Sequence, residues 1–312
     1  MIKLLILSLL ALGYQTASGQ LVTESFGSGA NAFTMDFVTI GNPGNAADTT
    51  GSPNPAGSVA YTYNIGKYEV SRDMITKANA AGSLGINLQD MSSYEANGVN
   101  RPATGISWNG AARFVNYLNT SQGYQAAYNF TTSGGNDNIS LWGAGQYSGS
   151  NQFRHKDAYY FLPSMDEWYK AAYGSPSGTW YNYATGSDSA PSAVASGTSG
   201  AVYNGQGAPA DITNAGGLSP YGTMAQNGNV WEWNESAFDG SNNSASENRE
   251  LRGGSWNLGS NFLDASTRLS LVPTTYENPS IGLRVASVPE PSALSLLAVG
   301  LGGLAMIRRR RS

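Results

Sequence analysis

The sequence predicts an α+β domain, loop-rich with short strands and two main helices. Three observations point to that class. Apolar runs are short and are separated by Gly, Asn, Ser and Pro, with 39 glycines and 13 prolines in 312 residues. Helical spacing joined to a start signal recurs in two segments. The stretches 131–151 and 175–217 follow neither a helical nor a strand period. The first helix covers Asn109 to Leu118, where Ala112, Phe114, Val115 and Leu118 approximate one face and Ser107 stands at the N-cap position. The second opens at Ser164 with Glu167 three residues on, the spacing of a capping box. It continues through Trp168, Tyr169, Ala171 and Ala172 until Gly174 ends it. A weaker helical pattern spans Arg72 to Ala80. Loops as long as the two irregular stretches are, in a compact domain, usually functional or held by ligands or ions.

Composition is that of a globular, loop-rich domain working outside the cytoplasm. Charged residues make up 12% of the chain, about half the share of typical soluble domains, while 18 tyrosines and 7 tryptophans supply large rings. A net charge of -4 and a pI near 5.0 leave no basic stripe, which argues against nucleic acid as a partner. The chain has no cysteine, so no disulfide staples it. Stability therefore falls to packing, aromatic cores and bound cations.

The two ends carry targeting patterns. Residues 1–19 place Lys3 before an apolar run from Leu4 to Leu12 and finish on small residues at Ala17 and Gly19. This reads as a secretory signal peptide cleaved near Gln20; a buried core segment is the alternative. Residues 20–287 form the domain. Beyond it, Val288-Pro289-Glu290-Pro291 precedes an apolar run from Ser292 to Ile307, and Arg308 to Arg311 follow without a break. That order resembles the PEP-CTERM sorting signal of Gram-negative bacteria, here residues 288–312. The resemblance implies an exosortase-type partner that cuts near the Pro-Glu-Pro and releases the domain to the cell surface or matrix. As a helix the apolar run spans roughly 24 Å, short of a ~30 Å hydrocarbon core, so transient inner-membrane insertion needs snorkelling arginines or local thinning. The arginine cluster should stay cytoplasmic. An ordinary C-terminal anchor is the alternative and predicts the same topology with retained protein.

Six motifs run in order along the mature chain. They are Ile65-Gly66-Lys67-Tyr68-Glu69-Val70-Ser71, Arg101-Pro102 through Ser107-Trp108-Asn109-Gly110-Ala111-Ala112, Phe161-Leu162-Pro163-Ser164-Met165-Asp166-Glu167-Trp168, Gly228-Asn229-Val230-Trp231-Glu232-Trp233, Arg252-Gly253-Gly254-Ser255-Trp256, and Gly282-Leu283-Arg284-Val285. Together they resemble the formylglycine-generating, or sulfatase-modifying factor, family. The resemblance implies that family's C-type-lectin-like fold, with little regular secondary structure and two principal helices.

The implied chemistry can be tested residue by residue. Enzymes of the family carry two cysteines shortly after the Arg-Gly-Gly-Ser segment, which bind copper and serve the oxidation of a substrate cysteine to formylglycine. Here that stretch reads Asn257 to Ser266 without a thiol, so thiolate binding of copper is excluded. The related sulfoxide synthases hold iron with several histidines, whereas this chain has only His155, between Arg154 and Lys156, which reads as an exposed loop residue. The family's two structural calcium sites fare better, because oxygen ligands suit that cation. Carried over by position, the first would use the side chains of Asn204 and Asp211 with the carbonyls of Gly205 and Thr213. The second would use Glu232 with the carbonyls of Gly228 and Val230, although Ala225 stands where the family has Asp or Asn. Asn204 and Asp211 also suit ordinary turns.

Other chemistries find less support. Glu167, Glu232 and Asp264 are available as the paired carboxylates of a glycosidase, but each has a plainer role as cap, calcium ligand or loop carboxylate. No Gly-x-Ser-x-Gly elbow accompanies the single histidine. Arg252 and Arg284 suit buried ion pairs, and Trp108, Trp168, Trp231, Trp233 and Trp256 suit the core. Trp142, Tyr147, Trp180, Tyr181 and Tyr183 lie in loops and are the expected stacking surface for sugars or peptides. The reading is an exported binding or structural module that has lost formylglycine chemistry, with a polysaccharide or an envelope protein as partner. A non-thiol oxidoreductase or protein-modifying enzyme of the same superfamily is the alternative.

Overall fold

The computed structural model of the chain describes residues 19–289. The signal peptide, the apolar run and the arginine cluster expected from the sequence lie outside these residues. Two sheets and three helices organise the domain. The first sheet is antiparallel, in the order β1 (Leu21–Phe26), β2 (Phe33–Ile40), β3 (Tyr63–Gly66), β9 (Ala286–Ser287), β4 (Tyr160–Phe161). In β2, Phe33, Met35 and Phe37 enter the main core while Val38 and Ile40 enter a second one. Alternation along the strand thus buries both faces of the sheet. The second sheet has the order β7 (Leu269–Val272), β6 (Arg249–Arg252), β5 (Trp231–Ala237), β8 (Ile281–Leu283), with β5 and β8 parallel.

The helices confirm and extend the expectation. α2 (Trp108–Ser121) starts at Ser107, whose hydroxyl accepts from Gly110 N–H at 3.0 Å. Its buried face presents Trp108, Ala111, Ala112, Val115 and Leu118 at helical spacing. α3 (Met165–Tyr173) has the capping box complete, with the Ser164 hydroxyl accepting from Glu167 N–H and the Glu167 carboxylate from Ser164 N–H. A cap of this kind is worth about 1 kcal/mol. Gly174 ends α3 in extended conformation rather than in the left-handed form that glycine usually supplies there. α1 (Arg72–Gly82) is a third full helix, so the weaker pattern is as regular as its neighbours. Its capping box uses the sulfur of Met74 in place of a carboxylate, which is why the sequence signal was faint.

Indoles lock α2 to the second sheet: Trp108 donates to the Asn234 carbonyl and Trp233 to the Ile106 carbonyl, both at 2.9 Å. Trp108, Trp168, Trp231, Trp233 and Trp256 are all buried, as expected. Between Gly174 and Val230 the chain forms no helix or extended strand, only isolated bridges. Glycine is required at the tight crossings: a Cβ on Gly228, at φ +82°, would stand 2.2 Å from the Val202 carbonyl oxygen, and one on Gly254, at φ +75°, 2.7 Å from Leu263.

Candidate functional site

A cleft of about 740 Å³ opens where the start of α3, the end of β5 and the loop 148–158 meet. Its wall includes the rings of Tyr61, Phe161 and Phe238, the amides of Asn151 and Asn242, and the charged groups of Arg154, Lys156, Asp166, Asp239, Glu250 and Arg268. Arg154 forms the floor. Its guanidinium lies 3.7 Å over the Phe161 ring and bonds Glu235 at 2.6–3.0 Å and Glu167 at 3.1 Å. Tyr61 and Tyr128 donate to Glu167 and Glu235 at 2.7 and 2.8 Å, and Asn151 donates to Glu235 at 2.6 Å.

Every element of this floor has a structural reason. The α3 cap fixes Glu167, while the register of β5 against β6 slips between Trp233 and Ala237, the stretch that carries Glu235. Such irregularities re-aim side chains. Burial opposes ionisation of Glu167, yet Arg154 beside it and the Tyr61 and Ser164 donors hold its carboxyl below the ordinary range. Burial and the adjacent Glu167 charge push the Tyr61 hydroxyl far up. Asp166, accepting from Gly57 N–H at 2.6 Å, has a raised pKa because burial disfavours its charge.

A second buried centre lies elsewhere. Arg284 is fully enclosed and grips Glu232 through two bonds of 2.7 and 2.9 Å, while Trp168 donates to Glu232 at 2.6 Å. Its remaining donors reach the carbonyls of Gly66 and Met224, both at 2.6 Å. Glu69 lies in the same interior, accepting from Asn229 and from Val230 N–H, and burial together with the Glu232 charge raises its pKa well above the ordinary value. Arg252 pairs with Glu250 at 2.5 Å. Both arginines thus make the buried pairs expected of them.

The residues read as calcium ligands have the following partners in the structure. Both Glu232 oxygens are engaged by Arg284. Gly228 N–H bonds the Gly253 carbonyl. Asn204 and Gly205 are exposed and donate their N–H groups to the Leu258 and Trp256 carbonyls. Asp211 stands 3.3 Å from Arg101, and Thr213 is exposed on the same loop. Among the described residues no three His, Asp or Glu side chains converge as a metal site.

Two expectations change. His155 is not an exposed loop residue: its side chain is 11% exposed, stands edge-on to Trp142 at 4.7 Å and lines the cleft. The loop aromatics expected to form a stacking surface do not line the cleft; Trp180 packs on Tyr169 instead, and the rings that do line it are Tyr61, Phe161 and Phe238. Arg154 and Glu235 were missed. The available signal was a second carboxylate inside the tryptophan-bearing strand, since a charge in a buried strand demands a partner. The stretch that carries the family's cysteines is occupied by packing: Leu263 is fully buried and Phe262 stands 6.2 Å edge-on to Trp231.

The fold and the C-terminal sorting motif together define an exported C-type-lectin-like domain. The chain belongs to the sulfatase-modifying factor family: the model of the sulfatase-modifying factor enzyme 1-like domain matches residues 30–288, and that of the PEP-CTERM protein-sorting motif matches 287–311. No curated protein matches the sequence. Among solved structures, CarF is similar at 18% identity and a TM-score of 0.58, over 82% of this chain and 99% of that one. Treponema denticola variable protein 1 is similar at 17% and 0.56, over 86% and 99%. PvdO from Pseudomonas aeruginosa is similar at 14% and 0.56, over 88% and 100%. At these identities the likeness is one of fold. The sorting motif marks the chain for exosortase-dependent sorting and export to the cell envelope or surface. No helix among the described residues is long and apolar enough to cross a membrane.

Proposed function

We propose that this protein is an exported binding module without formylglycine-generating activity, and that the cleft floored by Arg154 takes an extracellular polysaccharide. The carrying observation is the make-up of that cleft. The exposed ring of Tyr61 and the partly exposed ring of Phe238 stand beside amides and carboxylates at Asn151, Asn242, Asp166 and Asp239. Rings stack on the apolar faces of sugars, and the polar groups exchange hydrogen bonds with hydroxyls. The missing thiol supports loss of the family's oxidation, since thiolates are its copper ligands. Before release, the apolar run 292–307 holds the precursor in the inner membrane with Arg308 to Arg311 on the cytoplasmic side.

Affinity electrophoresis of the mature protein against neutral, acidic and amino polysaccharides tests the reading. Retardation by at least one class, weakened about tenfold or more by Tyr61→Ala and by Asp239→Asn, is the expected result. No retardation by any class, or equal retardation of the variants, would overturn it.

Structural calcium is a separate element of the proposal. Its first set, Asn204, Gly205, Asp211 and Thr213, keeps a half-exposed carboxylate at Asp211. Chelation should therefore lower the melting temperature, and Asp211→Asn should abolish that response. Stoichiometric copper or iron in the purified protein would instead point to an oxidoreductase.

A further inference from the structure

The domain ends flush against its sorting signal. β9 is hydrogen-bonded on both sides, pairing Ala286 with Ile65 and Phe161, and Ser287 with Asn64 and Tyr160. The next residue, Val288, donates its N–H to the Tyr159 carbonyl at 3.0 Å, and its half-exposed side chain helps to wall the cleft. The sorting-motif match begins at Ser287, inside this strand, and overlaps the domain match. No spacer separates the fold from the signal.

That junction limits how the domain can sit. From Val288 to Ser292, where the apolar run begins, the chain makes four Cα steps, at most about 14 Å fully extended. Peeling β9 cannot lengthen the tether cheaply, because the strand is interior to its sheet and both its residues are fully buried. A domain of this length has a radius of gyration of about 18 Å, hence a breadth of roughly 45 Å. The tether is much shorter than the domain is broad. Only the face that carries Val288 lies within its reach of the membrane.

We propose that in the uncut precursor the cleft faces the bilayer, and that the sorting cut, falling beyond Val288, opens it to macromolecules. The inference rests on the membrane-held precursor described above. A gap of about 14 Å admits small solutes but excludes a polysaccharide coil. Binding is thereby confined to the released protein. A cut upstream of Ser287 would remove the strand that joins β3 to β4, so the released chain keeps Val288 as cleft wall.

The absence of cysteine makes the test direct, because one introduced thiol is a unique reporter. Ser148→Cys places it on the exposed cleft rim, and Ser196→Cys places it on an exposed loop outside the cleft. The uncut chain is reconstituted in phosphatidylethanolamine–phosphatidylglycerol vesicles and labelled with a 5-kDa polyethylene glycol maleimide (about the size of a short glycan coil). A small maleimide should label both thiols equally. The large reagent should react at least about tenfold more slowly at the cleft, and a twenty-residue Gly/Ser spacer between Val288 and Pro289 should abolish the difference. Equal rates without the spacer, in protein that resists carbonate extraction, would overturn the inference alone. Protein that carbonate removes would overturn it together with the membrane reading.

Discussion

Arg284 and Arg154 are both surrounded by carboxylates, but the two centres serve different ends. Arg284 is sealed in: its side chain has no exposure, and its donors divide between Glu232 and two backbone carbonyls from distant segments. Arg154 keeps 15% of its side chain open and spends its donors on two carboxylates, Glu167 and Glu235. One carboxylate to one guanidinium, with carbonyls closing the rest, makes a joint between β3, β5 and the segment after β8. Two enclosed carboxylates to one guanidinium leave a surplus negative charge, which is tolerable because the donors from Tyr61, Tyr128 and Asn151 share it and the guanidinium itself is open to the cleft. Burial depth thus separates a framework joint from the floor of a site.

The sealed centre should carry the larger energetic cost. Arg284→Ala leaves Glu232 uncompensated beside Glu69 and should cost about 3–5 kcal/mol in urea denaturation. A loss below ~1 kcal/mol would remove the distinction. Arg154→Ala should cost less, about 2 kcal/mol, because removing a side chain that already meets the cleft lets water into its place, onto two carboxylates that are enclosed in the parent. It should also change the acid limb. Glu167 has a folded-state pKa below its ordinary 4.5, so its contribution is fully present above that value and is lost as the pH falls below it. Melting curves between about pH 3 and 6 should show that loss in the parent and its absence in Arg154→Ala.

A buried cation whose charge is opposed by burial alone has an effect of opposite sign. Lys170 is enclosed, donates to the Asn42 carbonyl at 2.9 Å, and is pushed down by burial to about 8. The unfolded chain therefore binds more protons than the folded one between pH 8 and the ordinary 10.5, and stability should rise across that window. Lys170→Met should raise the melting temperature at pH 7, with a gain that shrinks toward pH 10.5. The smallest effect belongs to Tyr61→Phe. It removes one donor from Glu167 at a half-exposed position and should cost about 1 kcal/mol or less.

Much of the framework was legible because it is local. Ser107, Ser164 and Glu167 act on N–H groups three residues away, so spacing alone declared α2 and α3. The glycine and tryptophan motifs were legible as family marks, and their burial followed. α1 was faint because a methionine sulfur completes its cap. The cleft was not legible. Its floor joins Arg154 to carboxylates 13 and 81 residues away, and its rings come from positions 61, 161 and 238, which no period connects.

By itself the sequence determined the family, the helix starts, the loss of thiol chemistry and the presence of a sorting signal, since each depends on residue type or short spacing. Tertiary structure decided which charges are sealed and which face the cleft. It also placed the last strand inside the first sheet, bringing the end of the domain to the wall of its own cleft. Those outcomes depend on long-range pairing and on exposure, which arise only when distant segments share one core.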